Sequence, residues 1–308
     1  ARRFGTDHHE VMVSEAAMRE YLPSLVFSQD EPIADWVCIP LYFVSKLVRD
    51  SGTVVVQVGE GSDEQFSGYS SYLKYLDMYR RFWRPFSRLP GAARRPAAAL
   101  ARGLTGLIDT LDTYLDVVDR AGRGREPFWS GAMVYSEARK ARLVDRARLE
   151  PLAVPAAMAG SGLLPEAYGQ ADSYEIVRSF FDRLDRAAPG TDVLNRMIYS
   201  EFKLRLPELL LMRVDKIGMS VSIEPRVPFL DHLLVEFTMN LPMEQKVQGG
   251  VAKSLFKQAV RGVLPDDVID RPKMGFGAPM VQWLRGPFGE AMRAELLASR
   301  FFDRFPAS

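Results

Sequence analysis

The segment VVVQVGEGSDEQFSGY, residues Val54–Tyr69, joins a short apolar run to a polar stretch that holds three acidic residues. The run Thr53–Val58 is rich in β-branched residues and predicts a buried strand. Ligands of parallel α/β sheets bind beyond the carboxyl ends of the strands. The sequence therefore predicts a ligand-binding edge at Glu60, Asp63 and Glu64.

A second β-branched run, Glu10–Val13, precedes two segments with helical spacing that lead to Thr53–Val58. The order strand, helices, strand predicts a crossover unit with parallel strands. Two strands are too few for an independent sheet, so either more strands precede Ala1 or the assignment fails. The predicted fold class is α/β, with an incomplete doubly wound parallel sheet and a large, mainly helical remainder.

Helical patterns predominate after about Tyr69. Apolar residues recur at helical spacing over 104–118, and the other predicted amphipathic segments are 134–147, 172–187 and 193–221. The basic segment Arg80–Arg102 contains three prolines and predicts a surface connection between helices.

The composition limits the partners and the compartment. Forty basic and thirty-nine acidic residues give 308 residues a net charge of +1, which predicts no nucleic-acid partner and no acidic membrane surface. Cys38 is the single cysteine, so an intrachain disulfide is excluded. With no signal-peptide pattern and no long apolar run, the sequence predicts a cytoplasmic protein. A homodimer is left open.

Two interpretations of the acidic residues remain open from the residues alone. Ser62 can cap a helix whose first turn contains Asp63 and Glu64, where the helix dipole favours acids without any function. That interpretation does not explain Glu60 between two glycines. Converging carboxylates also suit a hard cation such as Mg²⁺.

Three ordered motifs carry a resemblance to a known family. Residues 59–69 resemble the G-E-G-[SA]-D-E-x-F-x-G-Y motif of the asparagine synthetase family. VDKIGMSVSIEPRVPFLDH (214–232) and LPDDVIDRPKMGFGAPMVQWLR (264–285) resemble two later family motifs in the same order. Such a combination is far more specific than any one motif.

The resemblance implies an ATP-pyrophosphatase type domain with an adenine nucleotide α-hydrolase-like sheet. Its parts would be an α/β nucleotide-binding part (1–75), a variable helical region (76–190) and a helical part that completes the active site (191–308). The implied reaction uses ATP and Mg²⁺ to convert aspartate to asparagine with ammonia from glutamine. The alternatives are another carboxylate acceptor (a peptide, a sugar acid or a cell-surface precursor) or a non-catalytic nucleotide-binding relative.

The resemblance also implies roles for the residues of the first motif. Asp63 would hold Mg²⁺ between the phosphates. The backbone of Val58, Gly59 and Gly61 would contact the nucleotide. Glu60 would accept a proton from the attacking ammonia.

The later motifs supply further candidates. Lys273 would stabilise the departing pyrophosphate or the developing oxyanion, assisted by Arg271. Arg226 would either clamp the substrate carboxylate or pair with Glu224 or Asp231. From its position, Asp231 is most simply the N-cap of a helix HLLVEFTM (232–239). Glu208 is the carboxylate nearest to the place where the family has an acid that supports the base.

Two family features do not occur in the chain. The phosphate-binding S-G-G-x-D-S loop is missing, and the glycine-containing stretch near 159–166 lacks its aspartate; the loop is expected upstream of Ala1. The chain also lacks the cysteine nucleophile of an N-terminal glutaminase domain. The 308-residue piece alone is therefore expected to be weakly active or inactive.

Overall fold

The computed structural model describes residues 1–31, 33, 35–105, 111–126, 128, 135, 139, 140, 143 and 173–300. They form two compact units. Unit 1 comprises Ala1–Val58, Leu211–Pro228 and Pro272–Ser308, and unit 2 comprises Gly59–Leu210 and Phe229–Arg271.

Helices predominate among the described elements. The α-helices are, in chain order, α1 (Glu15–Gln29), α2 (Cys38–Asp50), α3 (Ser62–Gln65), α4 (Ser70–Met78), α5 (Arg84–Ser87), α6 (Gly91–Leu104), α7 (Asp112–Gly122), α8 (Ser173–Ala187), α9 (Val193–Lys203), α10 (Met212–Ser220), α11 (His232–Met239), α12 (Met243–Lys246), α13 (Ser254–Ala259), α14 (Asp266–Ile269), α15 (Met280–Leu284) and α16 (Pro287–Ala298). The other elements are strands β1 (Val55–Gln57) and β2 (Glu224–Arg226), 3₁₀ helices Arg2–Phe4 and Pro228–Leu230, and π-helices Tyr79–Trp83 and Leu206–Leu211.

Unit 1 contains a small parallel sheet. Strand β1 pairs with β2, with Val56 opposite Pro225, and the Val58 N–H continues the ladder to the Arg226 carbonyl at 2.8 Å. A mixed α/β fold that is mainly helical, with parallel strands, is thereby confirmed. The doubly wound, α-hydrolase-like sheet and the three-part domain division stay predictions.

Helices α1, α2, α10 and α16 enclose the core of unit 1. The spacing of Met18, Tyr21 and Leu25 places these side chains on one face of α1, where they pack with Ile217 of α10. Cys38 of α2 is fully buried in the same core, and its Sγ accepts a hydrogen bond from Gln29 Nε2 at 2.7 Å. Burial raises the pKa of the Cys38 thiol to about 11.

The strand predicted at Glu10–Val13 is wrong. These residues lie outside helices and strands, and the Met12 side chain is 95% exposed. β-propensity expresses packing against neighbouring strands, and a β-branched run without such a neighbour does not form a strand.

The strand predicted at Thr53–Val58 exists but is shorter, and Val55 at its start is 39% exposed rather than buried. The sequence did not predict β2, because Pro225 removes a backbone donor and is typical of loops. In a sheet of two described strands it is tolerated, since the missing donor interrupts no second ladder.

The core of unit 2 is formed by helices α4 and α9. Tyr72 and Leu76 pack against Leu194, Met197 and Ile198, all almost completely buried. The spacings within these sets are helical. The predicted segment 172–187 appears as helix α8, and the predicted segment 193–221 appears as α9, the second π-helix and α10. The predicted segment 134–147 lies almost wholly outside the described residues.

The prediction that Arg80–Arg102 is a connection between helices is wrong, because most of it is helical, whereas its predicted surface position is confirmed by the exposure of most of its residues. Pro85 lies in the first turn of α5, directly after the π-helix Tyr79–Trp83. Pro90 is the N-cap of α6, a position where a missing N–H breaks no helical hydrogen bond. Pro96 is accommodated inside α6. In the described part of the chain, no helix is both long and apolar enough to cross a membrane.

Candidate functional site

Residues Gly59–Gly68, called the acidic turn below, leave the sheet region and enter α3. Gly61 is the N-cap, with φ of +89°, and its carbonyl accepts the Gln65 N–H at 3.0 Å. The positive φ favours glycine here, and a Cβ at Gly61 would lie 2.3 Å from Leu230 Cδ2, so the Leu230 side chain would have to shift. The predicted cap is therefore one residue late, whereas Asp63 and Glu64 lie in the first helical turn as predicted.

Glu64 faces the interior of unit 2 and is only 1% exposed. The Tyr69 hydroxyl donates a hydrogen bond to Glu64 Oε1 at 2.6 Å. Burial raises the pKa of the Tyr69 phenol well above its usual range, and the Glu64 carboxylate raises it further. Tyr69 is thus a fixed donor, and Glu64 anchors the acidic turn.

A chain of paired polar groups continues behind Glu64. The Arg205 guanidinium lies 4.6 Å from the centroid of the Tyr69 ring and donates to Glu201 Oε2 at 3.1 Å. The Tyr72 hydroxyl donates to the same Glu201 oxygen at 3.0 Å. Because Glu201 is completely buried, removing either partner would leave its charge poorly compensated.

Gln65 fixes the other end of α3. Its side-chain amide donates to the Phe229 carbonyl and accepts a hydrogen bond from Thr238 Oγ1 at 2.8 Å. Gln65 is completely buried, so these bonds satisfy an otherwise costly polar group. They connect the acidic turn to α11.

Asp63, the acid that precedes Glu64 in α3, forms an ion pair with Lys253. Lys253 Nζ lies 2.7 Å from Asp63 Oδ1 and donates to Ser62 Oγ at 3.0 Å. The two charged side chains are 15% and 21% exposed. Sequence reasoning missed Lys253, since it lies 191 positions after Ser62 and no local pattern distinguishes it from a surface lysine.

Gly68 and Gly59 of the acidic turn differ in how closely other atoms pack against them. A Cβ at Gly68 would lie 1.9 Å from Asp63 Oδ1 and 2.3 Å from Lys253 Cε. The Asp63–Lys253 ion pair therefore packs directly against the backbone of Gly68. At Gly59 a Cβ would meet no described atom within 4 Å. Packing against the described residues therefore does not require glycine at position 59. The exposed backbone of Gly59 is instead accessible to close approach by a ligand.

Each predicted residue of the first motif has a defined place. Glu60 is partly buried, and it lies with Gly59, Gly61 and Asp63 in unit 2. Val58 is the last residue of the first segment of unit 1.

The remaining candidates lie on other segments. Arg271 and Lys273 are exposed, in unit 2 and unit 1 respectively, and residues 272–279 have no regular secondary structure. Glu208 is exposed on the second π-helix. Arg226 Nε donates to Glu224 Oε1 at 2.9 Å, an exposed ion pair that corresponds to one of its two expected roles.

Asp231 has the capping role that its position suggests. Its carboxylate accepts the N–H groups of Leu233 and Leu234 at the start of α11, at 3.0 and 3.4 Å. Within the described ranges, no group of three or more histidine, cysteine or acidic side chains comes together as a metal site.

Comparison with known proteins identifies the family. The asparagine synthase family model matches residues 1–305, almost the whole chain. The chain belongs to the asparagine synthase family. The family match extends over the region of the acidic turn and over the segment that contains Lys273.

Individual relatives agree with this membership. Asparagine synthetase [glutamine-hydrolyzing] 1 of Bacillus subtilis (strain 168) is 28% identical over 300 residues, which cover 95% of this chain and 41% of the relative. A putative asparagine synthetase [glutamine-hydrolyzing] of Mycobacterium tuberculosis (strain ATCC 25618 / H37Rv) is 29% identical over 294 residues, covering 92% and 39%. Amidase chyE of Penicillium rubens is 25% identical over 307 residues, covering 93% and 41%.

The chain thus spans about two fifths of the length of these curated relatives. No solved structure matches it.

Proposed function

We propose that this chain supplies the synthetase site of an enzyme that converts aspartate to asparagine with ATP. The observation that carries the proposal is the acidic turn, where Asp63 pairs with Lys253 beside Gly68 while Glu64 accepts a hydrogen bond from Tyr69. Membership of the asparagine synthase family supports the same reaction class.

The first step is adenylation of the acceptor. A carboxylate oxygen of aspartate attacks the α-phosphorus of ATP, the bond to the β-phosphate oxygen breaks, and pyrophosphate leaves. The exposed backbone of Gly59, together with Val58 and Gly61, binds the nucleotide. The ammonium of Lys273, with Arg271 in support, neutralises the negative charge that develops on pyrophosphate.

The second step forms the amide. Ammonia derived from glutamine attacks the acyl carbon of the adenylate, Glu60 accepts a proton from the nitrogen, and AMP leaves with the electron pair of the broken acyl–oxygen bond. A partly buried carboxylate is better suited to this than a fully solvated one.

Asp63 fits a magnesium ion held jointly with the substrate. Mg²⁺ is commonly bound by one or two protein carboxylates, with phosphate oxygens and water completing its shell. Asp63 offers one carboxylate at a partly accessible position, and Glu64 is committed to Tyr69. The ion would supply charge neutralisation on the phosphates.

A second acceptor is kept as an alternative. Relatives of similar coverage include a protein named an amidase, so not every relative of this chain is named an asparagine synthetase. We therefore keep the proposal that the acceptor is a different carboxylate, on a peptide, a sugar acid or a cell-surface precursor. Arg226 would then clamp that carboxylate after leaving Glu224, and Glu208 would support the base.

Carboxylate-dependent formation of AMP tests the proposal. The full-length protein is incubated with ATP, Mg²⁺, ammonia and a panel of carboxylates that includes aspartate, and AMP, pyrophosphate and amide are measured. We expect equal amounts of the three with the true acceptor. Nucleotide binding without AMP formation for any carboxylate would favour a non-catalytic relative.

The same assay on the 308-residue chain tests the effect of the missing S-G-G-x-D-S loop. That loop would provide backbone donors to pyrophosphate. We expect little or no turnover from the isolated chain, and robust turnover would contradict this expectation.

A further inference from the structure

Lys253 is attached to the acidic turn at three points. Its ammonium lies 2.7 Å from Asp63 Oδ1 and donates to Ser62 Oγ at 3.0 Å. Its backbone N–H donates to the Phe66 carbonyl, also at 3.0 Å. The Lys253 ammonium therefore contacts Asp63 Oδ1, a carboxylate oxygen that a cation could bind.

The backbone of Lys253 adopts a conformation that lysine disfavours. Its φ is +55° and its ψ is +29°, the left-handed region, at the N-cap of α13. Glycine would adopt this conformation without strain. A strained residue persists only when its surroundings hold it, and such residues concentrate at functional sites.

The ion pair also shapes the turn beside it. Gly68 leaves the space that Asp63 Oδ1 and Lys253 Cε occupy, and any side chain there would collide with both. Because Lys253 remains 21% exposed, a third N–H of its ammonium can donate to a phosphate oxygen on the accessible side.

Charge decides how a metal ion competes with this lysine. A bare divalent cation must displace the ammonium or bind beside it, and like charges at such distances repel strongly in a partly buried site. A cation that arrives with a triphosphate brings excess negative charge, so the ammonium can move to a phosphate while the cation takes Asp63.

We propose that Lys253 is a positioning residue that occupies Asp63 in place of a metal ion, so that Mg²⁺ binds there tightly only together with the phosphates of a nucleotide. The inference rests on the proposed function, because it assumes that Asp63 is the metal-binding residue. It adds a role for a lysine outside the three motifs, and it predicts that metal and nucleotide binding are coupled.

The test measures binding of Mn²⁺ as a spectroscopic substitute for Mg²⁺ in the full-length protein. Electron paramagnetic resonance gives the dissociation constant of Mn²⁺ alone and of Mn²⁺ with α,β-methylene-ATP, which cannot be cleaved between the α- and β-phosphates. In Lys253→Met we expect Mn²⁺ alone to bind about tenfold or more tightly, and Mn²⁺ with the analogue to bind more weakly.

Further variants separate this effect from loss of folding and from overall charge. Lys253→Gly removes the ammonium and suits a φ of +55°, so it keeps the test valid if Lys253→Met does not fold. Lys257→Met removes the same charge one helical turn further along α13 and should leave the affinity for Mn²⁺ alone unchanged. Adding Asp63→Asn to either Lys253 variant should abolish the gain.

Unchanged or weaker binding of Mn²⁺ alone in both Lys253 variants would overturn the inference, and so would an equal gain in Lys257→Met. These readouts need no turnover. They therefore distinguish failure of the inference from failure of the proposed function, which shows as absence of carboxylate-dependent AMP.

Discussion

The acidic turn and the segment 271–277, called the lysine segment below, carry the principal predicted residues and are built in opposite ways. In the acidic turn, residues 64–68 are buried and Glu64, Gln65 and Asp63 each have a defined partner. In the lysine segment all seven residues are exposed. Residues 64–68 of the acidic turn are thus packed inside unit 2, whereas the lysine segment lies at the surface.

The difference in burial between the acidic turn and the lysine segment determines whether a substitution there can affect folding as well as the reaction. Substitutions at the buried residues of the acidic turn act on folding as well as on any reaction, because residues 64–68 lie in the interior of unit 2. Substitutions in the lysine segment meet solvent, so an effect on the reaction there can be measured without an effect on folding. The following predictions test that separation, starting with the largest expected effect.

Glu60→Gln should affect chemistry more than stability, although Glu60 lies in the acidic turn. Loss of a general base typically lowers a rate by about 10²- to 10⁴-fold. We expect that loss in amide formation by the full-length protein, while exchange of labelled pyrophosphate into ATP, which reports adenylation, persists. Glu236→Gln on α11, an exposed glutamate, serves as the control. Equal loss in both half-reactions would contradict the role of Glu60.

Lys273→Ala should separate the two regions most clearly. Removing a charge that stabilises the transition state costs about 10²- to 10³-fold in kcat. Because Lys273 is exposed, the free energy of unfolding should change by less than about 0.5 kcal/mol. Steady-state kinetics and urea unfolding measure the two quantities, with Lys46→Ala on the exposed face of α2 as the matched control. A large loss of stability would show that the lysine segment is structural after all.

In contrast to the exposed Lys273, Lys246 is a lysine with no exposed surface, and it lies in the same unit as the acidic turn. Its Nζ donates to Asn195 Oδ1 at 2.5 Å, and burial lowers its pKa to about 8. Between pH 8 and the ordinary value of 10.5, the unfolded chain binds a proton that the folded chain does not. Stability should therefore rise with pH over this window.

The expected size of this rise is about 3 kcal/mol, since each pKa unit corresponds to about 1.4 kcal/mol. Urea unfolding at pH 7.5 and pH 10.5 measures it, and Lys246→Met should lack it while retaining the contributions of all other groups. If the two proteins show the same pH dependence, Lys246 does not titrate as its burial implies.

Two glycines give the smallest effect and the most direct comparison. Gly68→Ala places a methyl group 1.9 Å from Asp63 Oδ1 and should destabilise the protein by about 1–3 kcal/mol, the range for overpacked sites. Gly275→Ala in the lysine segment meets no described atom within 4 Å and should cost less than about 0.5 kcal/mol. Thermal unfolding of both variants would decide whether the acidic turn is as rigidly packed as its distances indicate.

The sequence predicted best the features that depend on local periodicity and capping. Helices α1 and α2 and the Asp231 cap of α11 follow from residues within one or two turns of each other. The sequence-based prediction failed where the structure depends on a partner that is distant in the sequence. Glu10–Val13 contains strand-forming residues but forms no strand, and β2 contains a proline yet pairs with β1.

The residues of the candidate site likewise fall into those that local sequence could indicate and those that only the packing reveals. The acidic turn could be proposed as a candidate site from the sequence, because Gly59–Glu64 is contiguous and its Glu60 is not explained by helix capping. Lys253 could not be found from the sequence, since its contact with Asp63 arises only when α13 packs beside the turn. The burial of Glu64, as opposed to Asp63, also depends on that packing.

The buried thiol of Cys38 has a practical consequence. A thiol that stays protonated near neutral pH and has no solvent-exposed surface reacts slowly with maleimides and similar reagents. Cysteines introduced at exposed positions of this chain, such as Gln258 on α13 and Met274, would then react selectively with fluorophores or spin labels. Distances between such labels, followed as nucleotide is added, would report on movement of the lysine segment in solution.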